Sequence, residues 1–382
     1  MGLEFLSEHG ASRVRPYPDQ PELDLSDDTD DGEGSSGDEE VDHGYEYEDR
    51  PWGPIAVDRA AVDWDEAPRR FVDGCHVGHT IAWLRDVQGH PVPLMLAEIG
   101  GVCMDRDGHD LRRSFQVVER VVALAIDPFP WHEVEDFTIA LANSGFRLLP
   151  VSLLKVRGNE GSGLPPASMV NDEVDEEWEE KGNKERVASF DFEVMRKKAQ
   201  NRSNAEMEVL EEVALCQHAE IPTVVDGRLE PRINSNKGLQ YCPIVGVIKQ
   251  QRKGYLHPDG WRTYYRLEPA QRTPAFLIKG GPKKKTVPVV SWYLKLEGTR
   301  GALPNWGVVR VEVAEAYFER IGRDFGLVDR LSHALFQMRC RHAAYRRGPV
   351  SLEPIVRAEE SLRALFSPPS WLAQHFYRLT GL

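Results

Sequence analysis

VMRKKAQNRSNAEMEVLEEVALCQHAEIPTVVDGRL, residues 194–229, passes from a helical pattern into a short apolar run that ends in Asp-Gly. Met207, Leu210, Val213 and Ala214 recur at spacings of three and four, which predicts a helix within 190–218. Val224 and Val225 then lead into Asp226-Gly227, a strand-length run bounded by a turn signal. A helix feeding a buried strand is the signature of a sheet carrying helices on its face, so the expected fold class is α/β.

Working outward, residues 68–104 (PRRFVDGCHVG, then TIAWLRD, then VPLMLAEIGGVCM) predict a strand, a tight turn and two further strands in an antiparallel meander. RSFQVVERVVALAID at 113–127 alternates too little for a clean helix and reads as another strand. Residues 241–313 are strand-rich: YCPIVGVIKQ, GWRTYYRLE, TPAFLIKG, TVPVVSWYLKLEG and WGVVRVEV, separated by turns containing Gly and Pro. The span 314–382 is predicted mostly helical, and no repeat of fixed period runs through the chain.

Charge is unevenly distributed. The 382 residues carry a formal net charge of −14, and residues 1–50 hold 17 acids against three bases, so the remainder is neutral with 44 of each. The acidity therefore does not exclude nucleic acid as a partner. Residues 21–50 contain 14 acids, one base and few aliphatic side chains, a composition that buries too little apolar surface to offset ordering entropy. Residues 1–50 are thus expected to form a disordered acidic arm. Residues 158–186, rich in Gly, Pro and acids, read as a flexible surface insertion in the domain 51–382.

No stretch approaches the roughly 18 apolar residues of a membrane span, and the N-terminus lacks a basic region followed by an apolar one. Five cysteines without a C-x-x-C pair argue against a zinc ribbon or a disulfide framework. A cytoplasmic protein with no membrane association is expected.

Asp73 and Asp226 share one setting, each closing a short apolar run and preceding a glycine (FVDG, VVDG). A carboxylate at a strand end projects at the sheet edge, and two on neighbouring strands can share hard divalent cations. Such a pair suits Mg²⁺ or Mn²⁺ and two-metal phosphodiester hydrolysis; the plainer reading of either Asp-Gly is a strand-to-turn motif. The helix before Asp226 offers Glu206, Glu208, Glu211 and Glu212, most of which an ordinary helix would leave solvated.

The span 249–300 holds 12 Lys or Arg against three acids, interleaved with Tyr255, Trp261, Tyr264, Tyr265, Trp292 and Tyr293. Phosphates are held by basic side chains and unpaired bases stack on aromatic faces, which makes Lys249, Arg252, Lys253, Arg262, Lys283, Lys284 and Lys285 the candidate DNA contacts. A sheet with polar outward residues would leave much the same pattern. No G-x-x-x-x-G-K-[ST] loop is present.

The ordered series FVDG (71–74), VVDGRL (224–229), GVIKQQRKGYLHP (246–258), RTPAFLI (272–278), SWYLKLEG (291–298), GVVRVEV (307–313) and EPIVRAEESLRALF (353–366) resembles the NurA nucleases, partners of the HerA hexameric DNA translocase. The resemblance spans roughly residues 68–366. It implies a ribonuclease H-like mixed sheet with flanking helices and a helical C-terminal region, Mn²⁺ or Mg²⁺ as cofactor, DNA as substrate, a homodimer, and docking on a HerA-type hexameric ATPase. It further implies Asp73 and Asp226 as metal ligands, a helical acid, Glu208 ahead of Glu206 and Glu211, and Lys249 at the scissile phosphate.

Two positions depart from the family's pattern. Cys75 stands where D-G-S is usual, and Glu359 follows Ala358 where a metal-binding histidine is common. Glu359 is thus a further candidate ligand, and its replacement of the histidine could equally mark a weakened nuclease. Besides the nuclease, which would serve DNA end processing or phage defence, two readings stay open: a non-catalytic DNA-binding adaptor that regulates the ATPase, and a ribonuclease or transposase-like enzyme on the same core.

Overall fold

The computed structural model describes residues 2–14, 40–48, 50–57, 67–108, 110–152, 191–249, 254–279, 287–298, 303–341 and 348–382. It is a mixed α/β structure around one large mixed sheet. Three long strands, β4 (Arg70–Arg85), β5 (Pro91–Asp107) and β6 (Asp110–Ala125), make an antiparallel meander, in which residues 68–104 supply two strands instead of the three expected and RSFQVVERVVALAID falls largely in the third. Their outer neighbour β7 (Arg147–Val151) pairs parallel to β6, reached through helix α2 (Trp131–Asn143). On the other side β8 (Thr223–Asp226) lies parallel to β4, and β9 (Ile244–Ile248) parallel to β8. Beyond these run β13 (Val308–Ala314), β12 (Val289–Lys295) and β11 (Phe276–Ile278), all antiparallel.

The helix predicted from 190–218 is α3 (Phe192–Leu215), begun by the Asp191 side chain accepting from the Glu193 amide at 2.8 Å. It buries Met195, Ala199, Leu210 and Ala214 against the meander, while Val213 points outward. Side chains alternate across β4, so Phe71, Asp73 and Cys75 face one side and Val72, Gly74 and His76 the other. α3 covers the second side. The first is covered by α7 (Phe325–Gln337) and α8 (Glu353–Arg363), whose Leu331, Ala358 and Leu362 share a core with Phe71 and Cys75. With α6 (Glu315–Arg320) and α9 (Pro369–Thr380), these form the expected helical C-terminal region.

Three expectations need correction. FVDG does not end a strand, because β4 runs on through Gly74 to Arg85 and the turn comes at 86–90. GWRTYYRLE is not a strand. Pro258 at the first helical position and Asp259 in the first turn start the short helix α5 (Pro258–Tyr264) instead. Nor is 1–50 one disordered arm. Phe5 and Leu6, in the short helix α1 (Phe5–Glu8), are buried in the core beside α2. β1 (Ser12–Arg13) pairs with β4 at Trp83 and Ala82, and β2 (Val41–Asp42) pairs with β11. Glu46 takes Arg272 at 2.8 Å on both oxygens and the Ala275 amide at 2.6 Å. The average acidity of the segment hides these few apolar anchors and one neutralised carboxylate. Residues 15–39 and the insertion at 158–186 lie outside the described residues.

Candidate functional site

Parallel pairing of Phe71 with Val224 and Val72 with Val225 brings the next residues, Asp73 and Asp226, level on adjacent strands. Adjacent strands stand about 4.8 Å apart, so the two carboxylates project from neighbouring backbones on the same face. Arg70 fixes the start of β4 by binding Asp105 at 2.7 and 2.9 Å and capping the Gln217 carbonyl beyond α3. Gly227, at φ 98°, turns the chain away directly after Asp226 and donates its amide to the Val247 carbonyl at 2.9 Å. Lys249 follows at the end of β9, and its Nζ donates to Asp226 Oδ2 at 2.7 Å.

The two aspartates differ in surroundings. Asp73 is only 7% exposed, and its carboxyl is held well above the usual carboxylate range by burial first and by the Asp226 charge second. Lys249 works against that rise, and Glu211 and Glu359 add to it. Asp226 keeps 28% side-chain exposure and its lysine. Glu359 comes from α8 on the same face as Asp73, four residues from its ion-pair partner Arg363 at 3.0 Å. Asp73, Asp226, Lys249 and Glu359, separated by up to 286 residues in sequence, thus meet at one place on the sheet.

Glu208 does not join them. It is exposed on α3, and its charge bears on Glu211 and Arg232 instead. Glu206 is turned toward Arg147 and Arg202, at 2.6 and 2.8 Å. The helical acid nearest the aspartates is Glu211, 3% exposed, beneath the sheet on the α3 side. A Cβ built on Gly74 would lie 3.4 Å from Glu211 Oε2 and collide with Met207 Sδ, so a larger residue there would have to displace the Met207 side chain. Burial pushes the Glu211 carboxyl up to about 7, opposed by Arg232. Arg232 donates to Glu211 at 2.7 Å and to the Asp226 carbonyl at 2.9 Å, tying the acid to the end of β8. A sequence signal for Glu211 exists: it continues the buried stripe of Met207, Leu210 and Ala214, from which Glu208 is rotated away.

Among the described residues, the basic span is largely engaged within the fold. Arg272 is buried against Glu46 and Asp329, Lys279 pairs with Glu40, Lys295 is buried near the Pro304 carbonyl, and Arg262 pairs with Asp259. Tyr255, Tyr264, Trp292 and Tyr293 are core residues, leaving Trp261 half-buried and Tyr265 exposed. The expected stacking platform is therefore mostly interior packing. Arg252, Lys253, Lys283, Lys284 and Lys285 lie outside the described residues.

Among the described residues, no three His, Cys, Asp or Glu side chains form a group that could hold a metal ion as they stand. The donors match a hard cation in kind, being carboxylate oxygens, and Glu211 Oε1 is buried without a hydrogen-bond partner. Lys249 and Arg232 already stand against two of these acids. Cys75 offers no nucleophile, since burial pushes its thiol up to about 11. All five cysteines are free, and among the described residues no helix is long and apolar enough to cross a membrane.

No protein-family model matches this chain, and no curated protein matches it. Among solved structures it is similar to the crystal structure of the NurA nuclease from Sulfolobus solfataricus, at 14% identity over 87% of this chain and 86% of that one, with a TM-score of 0.34. A likeness at that level carries no argument about activity, which rests on the residues themselves.

Proposed function

We propose that this chain is a cytoplasmic metal-dependent deoxyribonuclease on a ribonuclease H-like core, akin to the NurA nucleases, acting as a dimer with a HerA-type hexameric ATPase. The observation that carries the reading is the placement of Asp73 level with Asp226, with Lys249 and Glu359 on the same face. Asp73, Asp226 and Glu359 would hold Mg²⁺ or Mn²⁺. Bound there, such a cation would activate water and stabilise the leaving oxygen.

The chain's own groups do the rest. Lys249 orients Asp226 through its 2.7 Å hydrogen bond, and lies where it can meet a substrate phosphate. Glu211 and Arg232 brace the end of β8 from beneath. Burial holds the Asp73 carboxyl above the usual carboxylate range, so its ionised form, the one that could serve as a ligand, is favoured at higher pH.

The test is cleavage of labelled single- and double-stranded DNA with Mn²⁺, with EDTA, and with Asp73→Asn, each with and without the ATPase. Cleavage that requires Mn²⁺ and Asp73 is expected. Undiminished cleavage by Asp73→Asn would remove the site.

A second reading, the DNA-binding adaptor that regulates the ATPase, draws on the ion pairs of Lys249 with Asp226 and Arg232 with Glu211, which hold the acids as a closed network. DNA binding without cleavage under any metal would favour it.

A further inference from the structure

A cleft of about 570 Å³ opens on the same face of the sheet as Asp73, between the β5–β6 turn and the junction of α7 with α8. Arg106, Leu111, Arg339, Arg341, Glu353 and Pro354 line it. Arg106 has the same facing as Met104, whose side chain lies in the core under α7 and α8.

Arg339 is held rigidly. Its backbone bridges to Leu352, the Cys340 amide donates to the Ser351 carbonyl at 2.8 Å, and its guanidinium lies 3.9 Å over the Phe336 ring. One guanidinium nitrogen donates to the Phe336 carbonyl at 2.7 Å, while Nε is buried without a hydrogen-bond partner. That Nε stands 3.9 Å from Glu297 Oε2, a long ion pair without a hydrogen bond. Like charges crowd the cleft. Burial and then Arg69 lower the pKa of Arg106, and burial and then Arg341 lower that of Arg339. Glu353, the one acid in the lining, is taken by Arg357 at 2.9 Å.

Crowded guanidinium groups, one with an orphaned buried donor, match the geometry of an oxyanion with several acceptor oxygens. The cleft is also coupled in space to the acid site. Arg69 lies four residues before Asp73 on the same chain segment, about 13 Å of extended backbone, and Glu353 lies six residues before Glu359, about 9 Å of helix. At about 3.4 Å per nucleotide step, 13 Å is roughly four steps of a duplex strand.

We propose that the cleft formed by Arg106, Arg339 and Arg341 binds a phosphate of the nucleic-acid strand a few nucleotides from the acid site. The proposal rests on the nuclease reading only for the identity of the strand; the anion site stands on its own geometry.

The test is binding of a fluorescently labelled single-stranded deoxyoligonucleotide to the full chain in EDTA, read by anisotropy across a salt series. Inorganic phosphate binding is measured in parallel by calorimetry. The variants are Arg341→Glu, exposed and therefore benign to folding, Arg106→Gln, and Arg378→Glu on α9 as a control with the same charge change. Arg341→Glu is expected to weaken oligonucleotide binding at least tenfold and to reduce the slope of log K against log salt by about one. Arg106→Gln should weaken it severalfold, and Arg378→Glu less than threefold.

Equal losses in Arg341→Glu and Arg378→Glu would overturn the proposal, as would phosphate binding at the cleft with oligonucleotide affinity unchanged by Arg341→Glu. The two readings fail separately. Persistent cleavage by Asp73→Asn leaves the cleft standing, and unchanged affinity in Arg341→Glu leaves the acid site standing.

Discussion

Asp73-Gly74 and Asp226-Gly227 look alike in sequence and are built differently. The first lies inside a 16-residue strand and the second ends a four-residue one. Gly74 lies under the close approach of the Met207 and Glu211 side chains on α3, whereas Gly227 has a backbone at φ 98° that favours glycine. Asp73 is buried with a raised carboxyl pKa, and Asp226 is partly exposed and paired with Lys249. One repeated dipeptide thus gives two carboxylates at one height in different surroundings, one buried and one partly exposed beside a lysine.

The sharpest way to break the comparison is to neutralise each member. Asp73→Asn and Asp226→Asn are each expected to lower Mn²⁺-dependent DNA cleavage at least about a thousandfold, roughly 4 kcal/mol of barrier. Retained activity in Asp226→Asn alone would mean that only the buried aspartate matters.

The next effect lies beneath the pair. Glu211 binds its proton more tightly folded, near 7, than unfolded, near 4.5. The folded state therefore holds the extra proton across that window, and this group's contribution falls as pH rises through it. Glu211→Gln should thus gain stability relative to the parent chain between pH 4.5 and 7, by at most about 3 kcal/mol. Parallel denaturation midpoints across that range would refute the shift.

The glycines give the smallest effects. Gly74→Ala should cost about 1–3 kcal/mol by overpacking against Met207, and Gly227→Ala about 1 kcal/mol through backbone strain. Urea unfolding distinguishes them, and an equal, negligible cost at both would erase the structural difference.

His76 sharpens the contrast from the α3 side of β4. Burial lowers its pKa to about 4 from 6.5, so the unfolded chain binds the proton first and stability is lost as pH falls below 6.5. That trend opposes the one from Glu211. His76→Gln should leave a steeper loss of stability between pH 4.5 and 7 than the parent chain shows, measured by thermal unfolding.

Much of the sheet was legible because periodicity reports burial directly. The meander, the helix before Asp226 and the helical C-terminal region follow from their patterns. The level placement of Asp73 and Asp226 also follows, once both are on neighbouring strands. What escaped has a physical reason in each case. Glu208 and Glu211 differ by less than one helical turn, and only contact with Gly74 and Arg232 separates them. In the basic span, sequence counts charges without their partners: among the described residues, Glu46, distant in sequence, neutralises Arg272. The arginine cleft was invisible because Arg106 and Arg339 are far apart in the chain and meet only through the β5–β6 turn and α7.

The two anchorages of the N-terminal segment have a topological consequence. With Ser12–Arg13 fixed on β4 and Val41–Asp42 fixed on β11, the chain between them is a closed loop and not a tail. A cut between the two anchorages would leave both of them paired with the sheet. Removing residues 1–50 outright is a different operation: it strips Phe5 and Leu6 from one core and leaves the Arg272 guanidinium without its bidentate carboxylate.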